Sequence, residues 1–206
     1  MPGTERYQPN VATVEAQVVA RIRRAGRGSV WCVERFAGVA PRNTLDQTLR
    51  RLAQKGTLER IAHGVYHYGH PHPLTGTAPA TIAATIVMLA DAGYGHLVPI
   101  GATAAAVYDL AAPSGVVTYG AHSGSRRVVT PWWELRVTTV APRFVVDLHP
   151  QTATVIQALR WVGRRSWSAH HQATLAAALT ANGRAIVAAQ AAAAPDWMHS
   201  WLRALC

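Results

Sequence analysis

The 206-residue sequence predicts an α+β fold in two parts, and three observations carry that expectation. A proline-initiated helix with a leucine stripe is followed at once by a glycine-turned hairpin. Next comes His70-Pro71-His72-Pro73-Leu74-Thr75-Gly76, through which neither helix nor sheet continues easily. Past it, short β-branched runs punctuated by Gly, Ser and Pro precede a long alanine-rich stretch. Residues 1–69 and 77–206 are therefore expected as two domains joined by a linker over 70–76.

In the first part, Val11, Val14, Val18, Val19 and Ile22 recur at helical spacing and predict a helix from about Val11 to Ala25. Arg21, Arg23 and Arg24 load its last turn, where the helix dipole favours cations, and Gly26-Arg27-Gly28 stops it. Ser29–Ala37 reads as a short apolar element, extended at first and helical later, with Gly38 as the turn. The helix from Pro41 to Lys55 opens with proline at its first position, where the missing N–H costs nothing. Leu45, Thr48, Leu49 and Leu52 form one stripe. Asn43, Gln47, Arg50 and Gln54 fall on the opposite face, with Arg51 at its edge. Gly56 ends it. Residues 57–61 and 65–68 are alternating arms around a turn at Ala62-His63-Gly64, a hairpin signal. Helix, short element, turn, polar-faced helix and hairpin, in that order, predict a winged helix-turn-helix.

In the second part, Ala78–Ala92 is expected as a helix ended by Gly93, His96–Ile100 as a strand and Gly101–Leu110 as a helix. Val116–Tyr119, Arg126–Thr130, Glu134–Val140 and Phe144–Leu148 read as successive strands of a mostly antiparallel sheet. From Thr152 the chain is expected to be helical, a C-terminal cap broken near Gly163–Ser166, at Asn182-Gly183 and at Pro195. Strand alternation puts Trp132 and Trp133 on opposite faces, so at most one of them belongs to the core.

The formal charge of +10 implies an anionic partner, nucleic acid before membrane surface. Lys55 is the only lysine, so arginine supplies nearly all the positive charge. That suits bidentate phosphate and guanine contacts, but a GC-rich genome produces the same bias. Distribution is more telling. Net charge is +6 up to His70 and +4 over the remaining residues, so it is denser in the first third. The apolar stretches are too short to span a bilayer, and the N-terminus has no apolar run of signal-peptide type. Two cysteines, Cys32 and Cys206, make no disulfide framework. A cytoplasmic protein is expected.

The exposed face of the Pro41–Lys55 helix carries the side chains that read base edges in double-stranded DNA. Arg50 or Arg51 can fork onto guanine, and Asn43 or Gln47 can pair with adenine; Gln54 shares their face. Arg42 and Thr44, at the helix start, can hold a phosphate near its N–H groups. In the wing, Arg60 and His63 can reach the minor groove or the backbone. A solvated helix face accounts for the same residues, and the hairpin behind them is what favours DNA. His63, His67, His70 and His72 lack a joining acid or cysteine at ligand spacing, so neither a metal nor another cofactor is expected. The scattered acids Asp91, Asp109, Glu134, Asp147 and Asp196 predict no enzyme; only Glu134 and Asp147, on adjacent expected strands, could converge. A protein-interaction module with a structural winged helix stands as the alternative, and a nucleic-acid-processing enzyme as a more distant one.

Several motifs carry a family resemblance: Leu52-x3-Gly56-x-Leu58-x-Arg60 with Gly64-Val65-Tyr66, Pro99-x-Gly101-x2-Ala104, and the Tyr119-x-x-His122 strand end. With the closing PDWMHSWLRAL, the chain resembles AbiEi-type antitoxins of bacterial type IV toxin–antitoxin systems, and most closely a branch named DUF6088. The resemblance implies that the winged helix represses its own operon at an inverted-repeat operator, with possible self-association on DNA. It also implies that the C-terminal domain neutralises a nucleotidyltransferase-like toxin.

Overall fold

A computed structural model describes residues 11–144 and 147–205, and the chain forms two compact units, Met1–Gly93 and Tyr94–Cys206. Both mix helices with short strands.

In the first unit α1 (Val11–Ala25) buries Val14, Val18 and Ile22 at the expected spacing. After it come β1 (Ser29–Trp31) and a single 3-10 turn, Val33–Phe36. Then follow α2 (Arg42–Gln54), β2 (Glu59–Ala62) and β3 (Val65–Tyr68). The strands form an antiparallel sheet in the order β1-β3-β2, with Ser29 opposite Tyr68 and Glu59 opposite His67. Trp31, Val33, Phe36, Leu45, Leu49, Leu52, Leu58 and Tyr66 join the α1 residues in one core. Pro41 stands just outside α2 as its N-cap, not as its first helical residue. At the other end Gly56, with φ of 71°, lets Thr57 N–H donate to Leu52 O at 2.9 Å and Gly56 N–H to Ala53 O at 3.0 Å. That bond pair stops a helix abruptly and turns the chain into β2.

The segment expected as a linker folds as a two-stranded ribbon, β4 (Pro71–His72) with β5 (Gly76–Thr77), closed by Ala78 N–H donating to His70 O at 2.8 Å. The compact units instead divide after Gly93. The helix expected over 78–92 begins later, as α3 (Ile82–Leu89), because the Thr81 side chain caps it by accepting from Ala84 N–H. A wider turn over Ala90–Tyr94 follows it.

The second unit opens with β6 (Val98–Pro99) and α4 (Gly101–Ala106), followed by β7 (Val116–Ala121), β8 (Arg126–Val129) and β9 (Glu134–Thr139). The sheet order is β6-β7-β9-β8. Two of its pairings are antiparallel, but β7 and β9 run parallel, so the loop 122–125 passes the end of β9 to reach β8. α4 stops at Ala106 and not at Leu110: Leu110 N–H turns back to Ala105 O at 3.0 Å, with Asp109 at a φ of 56°. The strand expected over Phe144–Leu148 is corrected where it is described. Phe144 closes a 3-10 turn from Pro142 with its N–H on Ala141 O, and Asp147 and Leu148 lie in a bend; residues 145–146 lie outside the described residues, as do residues 1–10 and Cys206.

The C-terminal helices are α5 (Pro150–Val162), α6 (Ala169–Ala178), α7 (Ala181–Ala189) and α8 (His199–Arg203). α5 is buried without interruption from Thr152 to Leu159 and is the centre of this unit's core. The break expected at Asn182-Gly183 falls instead at Leu179-Thr180, where Thr180 caps α7 by accepting from Gly183 N–H. Trp132 and Trp133 precede β9 and lie outside any strand, so alternation does not sort them; Trp133 is half-buried while Trp132 keeps 51% of its surface exposed. Among the described residues no helix is long and apolar enough to cross a membrane.

Candidate nucleic-acid interface

The buried stripe of α2 consists of Leu45, Thr48, Leu49 and Leu52, which leaves Asn43, Gln47, Arg50 and Gln54 in solvent on the other side. β2 runs on from the end of α2 and brings Arg60 alongside the last turn. Arg50, Ala53, Gln54, Arg60 and Tyr66 thereby line one groove of about 490 Å³. Ala53 is small enough to leave the groove open, and buried Tyr66, opposite Arg60 in the β2–β3 register, walls it. Among the described residues no carboxylate lies within ion-pair distance of Arg50 or Arg60. The Arg60 guanidinium is 3.2 Å from the ring of His63, at the exposed tip of the hairpin. Gly64, with φ of 65°, makes that tip tight enough for Ala62 to pair with Val65.

The other site candidates divide. Arg42 lies at the far end of α2, roughly 18 Å along the axis from Gln54 by helix rise. Its guanidinium is engaged with Glu34 at 3.0 Å and Asp46 at 3.8 Å. Thr44 is half-buried, and its carbonyl accepts from the Thr48 hydroxyl at 2.8 Å. Arg51 is half-buried as well. It reaches Thr48 Oγ1 at 3.3 Å, and its Nε is buried without a hydrogen-bond partner. The structure thus brings Arg50, Gln54 and Arg60 together, keeps Asn43 and Gln47 on the same exposed face, and turns Arg51 partly inward.

One cation escaped the sequence analysis because it sits in a glycine-flanked helix stop. Arg27 donates to Gly69 O at 2.7 Å and stacks over Tyr68 at 4.9 Å. It shares a second cavity of about 540 Å³ with Glu59, Arg60, His67 and Thr77. His67 is 2% exposed there, 3.8 Å from Glu59, and burial holds its imidazole below the usual histidine range despite that carboxylate. Among the described residues no three His, Cys, Asp or Glu side chains are grouped to hold a metal ion.

In the second unit Glu134 faces cations. Arg127 donates to both its oxygens, at 2.7 and 3.1 Å, and Arg136 donates to Oε1. These bonds hold the carboxyl down at about 2. Because the folded value lies below the ordinary 4.5, the cluster stabilises the fold above that range and the contribution drains away as pH falls from 4.5 toward 2. Glu134→Gln is expected to flatten this part of the acid-unfolding profile, read as the thermal midpoint against pH. A profile that superimposes on the parent's contradicts the assignment.

Fold and groove together define a mixed α+β protein whose first unit sets a cationic, amide-bearing helix face beside a hairpin. The chain belongs to DUF6088, a family of unknown function, which it matches over residues 17–183. Neither a curated protein nor a solved structure gives a match.

Proposed function

We propose that the first unit is a winged helix-turn-helix that inserts α2 into the major groove of double-stranded DNA. In this reading the protein is a transcriptional autorepressor and the antitoxin-like component of a type IV toxin–antitoxin pair. The observation that carries it is the shared groove of Arg50, Gln54 and Arg60, where a base-reading helix face meets a cation on the wing. The sheet order β1-β3-β2 and the tight hairpin tip support it, because they project the wing beside α2. The antitoxin role rests on the resemblance to AbiEi-type proteins, with a nucleotidyltransferase-like toxin as the implied partner.

Selection of bound duplexes from a random pool by the full chain is the direct test. An inverted repeat with half-sites about one helical turn apart is expected. A pool that shows no enrichment over repeated rounds removes the DNA-binding reading and leaves a protein-interaction module. Co-expression with the nucleotidyltransferase-like product of a neighbouring gene tests the antitoxin role, with restored growth as the expected result.

A further inference from the structure

We propose that the surface at the C-terminal end of α5 binds single-stranded nucleic acid, at a site distinct from the duplex groove on α2. From Leu148 to Pro195 the chain has no aspartate or glutamate, and Asp147 is the one carboxylate between Glu134 and Asp196. Three of the four arginines in this stretch, Arg160, Arg164 and Arg165, lie at or just past the end of α5, and Arg143 joins them from before it. Arg143 and Arg160 both stack over the ring of Phe144, at 4.8 and 4.5 Å from its centroid. Trp161 stands next in the chain with 48% of its surface exposed. Gly163, at a φ of 80°, ends the helix, and exposed Arg164 and Arg165 follow in the turn. Among the described residues none of these four arginines is paired with a carboxylate.

The chemistry of the patch selects the partner. A guanidinium laid flat on an aromatic ring keeps its N–H edge free, and that edge matches two phosphate oxygens. An exposed indole offers a face on which an unpaired base stacks, and such stacking is tolerant of sequence. A duplex keeps its bases within its own stack and has nothing to lay on Trp161. An acidic polypeptide satisfies the arginines but leaves the indole without a partner. Unpaired bases on a phosphate chain use both features at once.

Fluorescence anisotropy of a labelled 12-nucleotide oligouridylate and its thymidylate counterpart tests this, with a 12-base-pair duplex and polyglutamate as competitors. The full chain carrying Arg50→Ala and Arg60→Ala removes the groove on α2 from the readout. Both single strands are expected to bind that chain. Trp161→Ala weakens them about tenfold, and Trp161→Phe recovers part of the loss. Arg164→Ala with Arg165→Ala lowers the slope of log affinity against log salt by about 1.4. Thermal melts confirm that each variant is folded. The proposal is overturned if neither strand binds at low salt, if polyglutamate or the duplex competes as well as the strand itself, or if Trp161→Ala leaves affinity unchanged in a folded chain.

Discussion

Alanine at Arg50 is expected to weaken binding of the selected duplex by about 1–3 kcal/mol and to relax the preference at one base pair. Alanine at Arg60 weakens all sequences alike and lowers the salt slope by about 0.9, as the loss of one phosphate contact does. The difference follows from position. Arg50 stands on the α2 face proposed to read bases, whereas Arg60 stands on β2 beside it. Because both line one groove, the double variant need not show the sum of the single losses, and the cycle measures their coupling. Arg51→Ala is the internal control. Its guanidinium turns toward Thr48, so its removal is expected to change stability more than DNA affinity. Anisotropy titrations at several salt concentrations separate the cases. If Arg51→Ala abolishes selectivity while Arg50→Ala does not, the base-reading face has been assigned to the wrong side of α2.

That face was legible because α2 is amphipathic on one side only. A 3.6-residue period predicts Leu45, Thr48, Leu49 and Leu52 as the buried set, and those are the four residues of the helix that are buried. The hairpin was equally legible, since Gly64 and the flanking β-branched and aromatic residues encode it locally. What sequence could not supply is every contact made between elements. Arg42 looks like a phosphate ligand in one dimension, but the 3-10 turn delivers Glu34 to it. Strand order is also silent: alternation says which side chains share a face, never which strand lies next, so the parallel β7–β9 pairing left no trace. The run from Phe144 reads as a strand by composition. Phe144 instead closes a 3-10 turn that begins at Pro142, its N–H spent on Ala141 O. Arg51, at the edge of its helix face, was the one base-reading candidate whose direction periodicity left undecided.

The largest effect on folding is expected at Phe36. It is fully buried, stacks on Trp31 at 5.0 Å between ring centroids, and belongs to a 3-10 turn of only four residues. A helix that short has almost no stability of its own. Its place against α2 is therefore held by the side chains it buries, Val33 and Phe36. Phe36→Ala removes the larger of these and leaves a cavity beside Leu45, Leu49 and Leu52, at a cost of about 3–5 kcal/mol. The structure divides into two units with separate cores, so the loss is expected in the transition of the first unit, with the second little changed. Differential scanning calorimetry reads this directly, as a shift of one transition where two are resolved. Phe36→Leu, which keeps most of the volume, recovers most of the stability. If both variants melt with the parent, the 3-10 turn does not hold α2, and the Arg42–Glu34 ion pair becomes the contact to test. DNA affinity provides a second check on the same variant. Phe36 is buried in the core and is not itself a proposed DNA contact, so below its melting temperature Phe36→Leu is expected to bind the selected duplex as the parent does. A loss there with the fold intact means that the turn sets the tilt of α2, and with it how deeply Arg50 enters the groove.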